Sequence, residues 1–206
     1  TSSLLITHLN VENDRSKGPS LELLANGQLA QSIGRPDFII TTETWETPNS
    51  LITQLDEKIF QTFHIRHPLS TDATPLSGRG GIAIRTRIQP AFTTNQIELP
   101  ASCDAPDFLF VKVTVTTHTA SKKTFVIGGA YLPSTTHSLT EYAKSLTKFS
   151  LAEDFIRSKK TNTQILVGGD FNVRLGPLTR DTNTSPNRAP LFLEIHLLLT
   201  ILVQTP

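Results

Sequence analysis

Two segments of the sequence place polar side chains directly after short apolar runs. Residues 168–173 read Gly-Gly-Asp-Phe-Asn-Val after an apolar run at 165–167, and residues 128–133 read Gly-Gly-Ala-Tyr-Leu-Pro after another at 125–127. Each apolar run is predicted to be a strand that stops at its paired glycines. Polar groups at such a position would lie at the rim of a sheet, where they can meet a substrate.

The types of these polar residues suit hydrolysis of a phosphodiester with the help of a metal ion. Asp170 can accept a proton from water, and Asn172 lies two residues further on, which is the same face of an extended segment. Tyr131 can donate to a phosphate oxygen. Glu43 offers a hard oxygen ligand of the kind that Mg²⁺ binds together with water and substrate phosphates. The combination indicates metal-assisted phosphodiester hydrolysis.

Each of these residues alone also has an ordinary structural explanation. Asp and Asn after a strand commonly form a turn, so the Asp170/Asn172 pair by itself favours neither explanation. Glu43 by itself fits a solvated strand end, and Tyr131 by itself fits a half-buried aromatic residue. Their joint occurrence at successive strand ends is what favours a functional site.

The apolar pattern predicts the elements that must position these groups. An α and β chain with mixed sheets follows from two strand–helix–strand repeats with antiparallel pairs between them. Four strands end in a polar group, and their side chains converge if these ends share one rim. Strands are predicted at 4–10, 37–43, 82–88, 108–115 and 124–127, with a hairpin turn at 118–123, and helices at 19–34, 51–59, 139–160 and, leading into a strand, 191–203.

Length and composition predict a single globular domain over residues 1–206. A formal net charge of +1 provides no overall electrostatic case for nucleic-acid binding, so such binding must depend on a local site. The only cysteine, Cys103, cannot form an internal disulfide, which favours a reducing compartment. The first residues lack the features of a signal peptide, and the apolar run at 191–203 is shorter than the roughly 20 residues of a membrane helix. We therefore expect no membrane partner.

Five motifs, in this order, resemble those of the endonuclease/exonuclease/phosphatase superfamily, and the resemblance covers nearly the whole chain. The stretch from residue 173 to residue 193 is most similar to the endonuclease domain of non-LTR (LINE-type) retrotransposons. The five motifs are Leu-Asn-Val around Asn10, Thr-Glu-Thr-Trp around Glu43, Ser-Gly-Arg-Gly-Gly-Ile-Ala-Ile at 77–84, Gly-Ala-Tyr-Leu-Pro around Tyr131, and Gly-Asp-Phe-Asn at 169–172.

This resemblance implies an α+β fold, a deoxyribonuclease I-like four-layer αββα sandwich with mixed sheets and an active site at one edge. It implies that Glu43 binds Mg²⁺, with Mn²⁺ as a possible substitute, and that Asn10 helps to position metal and phosphate. Tyr131 and Asn172 would contact the scissile phosphate, and Asp170 would orient or deprotonate the attacking water. The implied partners are DNA and a reverse transcriptase domain on the same polypeptide, in an intracellular and nuclear setting.

The sequence also departs from the superfamily pattern. Relatives end in a Ser-Asp-His segment whose Asp and His lie near the scissile phosphate, and no such segment occurs in these 206 residues. His196, inside an apolar stripe, is a poor substitute. The expectation is therefore a chain truncated at its C-terminus, with the last strands missing and with activity lost or severely impaired.

Other functions stay open at this point. Within the superfamily the alternatives are an abasic-site repair nuclease and a phosphoinositide phosphatase, and outside it a non-catalytic remnant. Residues 78–83 also match a dinucleotide-binding pattern, but that pattern requires a following helix, whereas the residues after it alternate as a strand does. A tight turn is the better explanation there.

Overall fold

The computed structural model describes residues 4–10, 35–44, 57, 59–65, 80–116, 120–133, 138–159 and 163–172. Within these ranges the chain forms eight strands and one helix. The predicted helices at 19–34 and 191–203 lie outside the described residues. So does most of the predicted helix at 51–59, of which Ile59 is in a turn.

The first sheet, called sheet A, brings the ends of two parallel strands to one edge. The strand β1 pairs in parallel with β2, and the antiparallel β4 lies between β2 and β3. In this register Asn10, the last residue of β1, is opposite Thr42, the last residue of β2. Glu43 is therefore the first residue beyond the same edge. The strands are β1 Ile6–Asn10, β2 Phe38–Thr42, β3 Phe60–Ile65 and β4 Ile82–Arg87.

The second sheet, sheet B, is built around a long hairpin. The strand order is β5-β6-β7-β8, and β6 pairs antiparallel with both β5 and β7. The hairpin of β6 and β7 confirms the sequence prediction. The strands are β5 Phe92–Gln96, β6 Phe108–Thr116, β7 Lys122–Tyr131 and β8 Gln164–Asp170.

The two sheets bury one apolar core between them, because alternate residues of each strand face inward. From sheet A the core takes Ile40, Ile82 and Ile84, and from sheet B it takes Leu109 and Ile127, all at most 1% exposed. The burial of these branched side chains, together with the rings of Phe38 and Phe125 in the same cluster, is the main stabilising contribution of the sandwich.

The prediction that the strands stop at their paired glycines is wrong. β7 continues through Gly128 and Gly129 to Tyr131, and β8 continues to Asp170. The glycines are needed for close approach instead: a Cβ on Gly129 would lie 2.6 Å from Ile82 Cγ2, and a Cβ on Gly169 would collide with the backbone of Ala130.

The helix α1, Leu139–Lys159, was predicted with nearly these bounds. A capping box begins it: Glu141 N–H donates to Ser138 Oγ at 3.2 Å, and Ser138 N–H donates to Glu141 Oε2 at 2.9 Å. Tyr142 and Leu146 pack with Leu132 and Phe171 in a small cluster. Among the described residues, no helix has both the length and the apolar character to cross a membrane.

The chain divides into two compact units that interleave in sequence. The first unit comprises Thr1–Ile97, Pro106–Tyr131 and Ile165–Gly169, and it contains the facing sheets. The second unit comprises Glu98–Ala105, Leu132–Gln164 and Asp170–Pro206, and it contains α1. The predicted single domain over residues 1–206 stays a prediction.

Candidate active site

Asn10 and Glu43 form a side-chain pair at the edge of sheet A where the parallel strands end. Asn10 Nδ2 donates a hydrogen bond of 2.9 Å to Glu43 Oε1. The two residues are 33 positions apart in sequence, so the parallel register of β1 and β2 is what brings them together. The structure thus joins two of the residues that the sequence singled out.

Glu43 turns away from β2 in a left-handed backbone conformation, with φ of 57°. This region is unfavourable for a side chain of this size and persists only where surrounding contacts enforce it. One such contact follows immediately, because Thr44 N–H donates to the Gly81 carbonyl oxygen at 3.4 Å. Gly81 has a φ of 89°, and a Cβ there would lie 2.5 Å from Thr44 Oγ1. Position 81, which packs against Thr44, therefore requires glycine.

The glycine segment before β4 is not a dinucleotide-binding turn. Gly80 and Gly81 both have positive φ, and the strand Ile82–Arg87 follows them directly. The absence of a helix after these glycines agrees with the tight turn predicted from the sequence.

His8 and Thr42 lie on the same face of sheet A as Asn10, and sequence reasoning did not assign them to the site. His8 Nε2 and Thr42 Oγ1 are 3.3 Å apart and share a hydrogen bond. Thr42 is fully buried, whereas His8 is half-buried. The available signal was the period of two along β1, which places His8 on the face of Asn10.

Tyr131 is the last residue of β7 and faces the interior of the sandwich. Its ring is partly buried and packs against the core that the two sheets share. Its backbone N–H donates to the Asp107 carbonyl oxygen at 2.8 Å, which continues the pairing of β6 and β7 to the sheet edge. Tyr131 is therefore a half-buried aromatic residue, as its ordinary structural explanation has it, and it stands at a strand end.

Asp170 and Asn172 belong to the second unit, where they form a local turn. Asn172 N–H donates to Asp170 Oδ1 at 2.8 Å, and Asn172 Nδ2 donates to the Leu132 carbonyl oxygen at 2.8 Å. The prediction that both side chains point to one face of an extended segment is wrong. β8 ends at Asp170, and Asn172 has a φ of 48°, a conformation that Asn tolerates better than most residues.

The donor set of Asn10 and Glu43 fits a hard divalent cation. Mg²⁺ takes oxygen ligands and is commonly held by only one or two carboxylates, the remainder being water and substrate phosphate. A carboxylate beside an amide oxygen matches that pattern. In the part of the chain that the structure describes, no group of three or more His, Cys, Asp and Glu residues is placed to hold a metal ion.

Among the described carboxyl groups, the one with the most perturbed pKa is Glu153. Burial raises the pKa of Glu153, on the inner face of α1, from 4.5 to about 7, opposed by Arg157 and reinforced by Asp154. Its side chain is 4% exposed, and Oε2 has no hydrogen-bond partner among the described residues. A buried carboxyl group of this kind lowers the stability of the fold when it is charged.

Comparisons with known proteins agree with this fold. The chain is similar to the human Nocturnin catalytic domain solved with bound sulfate anion, with 17% identity over 83% of this chain and 64% of that chain and a TM-score of 0.57. It is also similar to TDP2 from C. elegans, with 11% identity over 89% of this chain and 52% of that chain and a TM-score of 0.50. The chain thus spans between about half and two thirds of the length of these structures. No curated protein matches the sequence.

Identities this low establish the fold alone, and the predicted deoxyribonuclease I-like fold is confirmed. The family is established by a separate comparison. The sequence model described as "Endonuclease/Exonuclease/phosphatase family" matches residues 8–192, which is most of the chain. Members of this family are hydrolytic nucleases and phosphatases that commonly use divalent metals. By its sequence and its fold, this chain belongs to the Endonuclease/Exonuclease/phosphatase family.

Proposed function

We propose that the protein hydrolyses phosphodiester bonds of DNA in a reaction that depends on a divalent metal, acting as a nicking endonuclease. The observation that carries this proposal is the Asn10–Glu43 pair. A carboxylate and an amide from separate strands meet at one sheet edge, with a hydrogen bond of 2.9 Å and with Glu43 in a left-handed conformation. A solvated strand end, the ordinary explanation for Glu43, accounts for neither feature.

Glu43 and Asn10 are the residues that would hold Mg²⁺ or Mn²⁺. A divalent ion bound there would stabilise the negative charge that develops on the phosphate oxygens. The hydrogen bond from Asn10 occupies one position on Oε1 and orients the carboxylate, which has about four acceptor positions in total. Orientation of a ligating carboxylate by a hydrogen bond is a common way to prepare such a site.

Asp170 is proposed to orient or deprotonate the attacking water. The bond from the Asn172 backbone N–H to Oδ1 holds the carboxylate in one orientation. Asn172 and Tyr131 are proposed to donate to the scissile phosphate. The bond from Asn172 Nδ2 to the Leu132 carbonyl uses one of the two amide hydrogens and sets the direction of the other.

The narrower proposal is a retrotransposon endonuclease of the non-LTR type. Its support is the similarity of residues 173–193, which lie outside the described residues. A nuclear location and a reverse transcriptase domain on the same polypeptide belong to this proposal. Reading the source gene beyond the codon for Pro206 tests it, since a reverse transcriptase reading frame is expected there and a different coding region would contradict it.

Conversion of supercoiled plasmid to nicked circles tests the activity. The 206 residues contain no Ser-Asp-His segment, so the assay is run with enzyme in excess and compares variants. Glu43→Gln should slow nicking by at least about 100-fold, because changes outside the ligand sphere alone cost 10- to 100-fold in affinity or activity. Glu98→Gln makes the same charge change at an exposed residue and serves as the matched control.

Substrate choice separates the alternatives within the family. Nicking of intact plasmid in Mg²⁺, lost in EDTA and in Glu43→Gln, supports the endonuclease. Cleavage confined to duplexes with an abasic site, or release of phosphate from a phosphoinositide, would assign the protein to a different substrate. Absence of all three activities, together with no Mn²⁺ binding by calorimetry, would leave the non-catalytic remnant.

A further inference from the structure

His8 lies on β1 close to the proposed metal site and has no role in the proposed hydrolysis. On β1 it is two residues before Asn10 and therefore on the same face of sheet A. Its Nε2 atom shares a hydrogen bond of 3.3 Å with Thr42 Oγ1, across 34 positions of sequence. The bond therefore joins the same two strands as the Asn10–Glu43 bond.

Thr42 connects His8 to both members of the pair. It is fully buried, it is opposite Asn10 in the parallel register, and it directly precedes Glu43 in the chain. A shift of Thr42, the last residue of β2, would therefore also move Glu43, which is bonded directly to it in the chain. Since Glu43 occupies an unfavourable backbone region, its conformation depends on such neighbouring constraints.

Sheet B packs closely against His8. Gly168 of β8 faces His8, and a Cβ on Gly168 would lie 3.3 Å from His8 Cβ and 3.0 Å from Ile40 Cδ1. Both distances are tighter than ordinary van der Waals contact, so any side chain at position 168 would crowd His8 and Ile40. One of the glycines that sequence analysis interpreted as a strand stop thus provides the space for His8.

We propose that His8 is a positioning residue for the Asn10–Glu43 pair: seated under Gly168 and bonded to Thr42, it holds the end of β2 in the register that brings Glu43 to Asn10. Its importance for catalysis rests on the proposed function, but its effect on the pair does not. The hydrogen bond and the glycine contact set the geometry of the pair in the metal-free protein as well.

The direct test follows the Asn10 side-chain amide by NMR in the ¹⁵N-labelled, metal-free chain. His8→Leu and Thr42→Val each remove one partner of the bond at similar volume, and both should shift the Asn10 Nδ2 resonances and speed their exchange with water. His8→Gln places an amide nitrogen near the position of Nε2 and should restore the wild-type signal, as should Thr42→Ser. His64→Leu, an exposed histidine on β3 of the same sheet, is the matched control.

Mn²⁺ binding by calorimetry at one pH is the second measurement. His8→Leu and Thr42→Val should weaken binding by about 10-fold or more, as is typical of residues that orient a ligand. The double variant should be no weaker than either single variant, because the two changes remove one interaction. A purely structural role for His8 would instead lower thermal stability with Mn²⁺ affinity unchanged.

The outcomes separate this inference from the proposed function. If the Asn10 side-chain amide resonances are unchanged in both His8→Leu and Thr42→Val, His8 does not position the pair and the inference is overturned. A response of Asn10 in a protein that binds no Mn²⁺ upholds the positioning role and counts against the proposed function. If His8→Leu does not fold, Thr42→Val and Gly168→Ala provide the test instead. Both keep His8, and both should still shift the Asn10 side-chain amide resonances.

Discussion

Two regions of this protein contain the same pair of groups, a carboxylate and an amide, and hold them in different ways. Asn10 and Glu43 come from neighbouring strands and bond through their side chains. Asp170 and Asn172 are two residues apart, and there the carboxylate accepts a backbone N–H while the amide donates to a backbone carbonyl. The first arrangement depends on the register of a sheet. The second combines a local turn between Asp170 and Asn172 with a bond to Leu132, 40 positions away in the sequence.

This difference bears on the ordinary structural explanations of the two regions. The turn that sequence analysis considered for Asp170 and Asn172 is present, and its bonds also hold the carboxylate in one orientation, so turn formation and a chemical role are compatible. Glu43 also stands at a strand end, but its hydrogen bond to Asn10 and its left-handed backbone are features that a solvated strand end does not require. Of the three non-glycine residues with positive φ in the described ranges, two are Glu43 and Asn172, and only Asn tolerates this conformation well.

The largest expected effect separates the turn from the chemistry in the second region. Asp170→Asn keeps an oxygen for the Asn172 N–H and removes the base, so nicking should fall by roughly 10²- to 10⁴-fold while the thermal midpoint stays near the wild-type value. Plasmid nicking and thermal unfolding are measured on the same preparation. A large fall in thermal stability with nicking retained would show that Asp170 only forms the turn.

The next effect is a pH dependence of stability caused by Glu153 in the second unit. Its pKa is raised from 4.5 to about 7 in the folded protein, so folding takes up a proton between these values. The contribution of Glu153 to the free energy of unfolding is therefore greatest below pH 4.5 and falls as the pH rises. Above pH 7 that contribution is lower by about 3 kcal/mol.

Glu153→Gln tests this sign, because it removes the buried charge. Urea unfolding at several pH values should show the variant more stable than the wild type at pH 8 and nearly equal to it at pH 4. Glu98→Gln, the same change at an exposed position, is the matched control. If the wild type instead becomes more stable than Glu153→Gln as the pH rises, Glu153 is not a destabilising buried carboxylate.

A smaller effect is expected at the first region when Gly81 is replaced. Gly81→Ala forces a side chain into a φ of 89° and against Thr44 Oγ1, which should cost about 2 kcal/mol of unfolding free energy. Because Thr44 adjoins Glu43, Mn²⁺ affinity should fall as well. Urea unfolding and calorimetry check both, and a stability loss with unchanged Mn²⁺ affinity would mean that Glu43 is held independently of Gly81.

The smallest effects compare the two left-handed residues directly. Glu43→Gly removes backbone strain and one exposed hydrogen bond, so the free energy of unfolding should change by less than about 1 kcal/mol. Asn172→Gly loses the bond to Leu132 without a comparable relief of strain and should be destabilised by about 1 kcal/mol. If urea unfolding shows Glu43→Gly to be the more destabilised variant, the Glu43 side chain stabilises the fold rather than serving the site.

Much of the fold was predictable because its signals are local. The alternation in β4, the β6–β7 hairpin and the apolar stripe of α1 predicted elements that the structure confirms. The strands β3 and β5 were not predicted. Their sequences, Phe-Gln-Thr-Phe-His-Ile and Phe-Thr-Thr-Asn-Gln, lack a clear period of two, and each is an edge strand with exposed residues.

By itself the sequence determined the family motifs, the residue types of the site and the elements that carry them, because each of these depends on neighbouring residues in the chain. Only the tertiary structure decided that Asn10 bonds Glu43, that His8 bonds Thr42, and that paired glycines continue a strand. Those features depend on the register between distant strands and on the space between two sheets, which no local pattern of residues specifies.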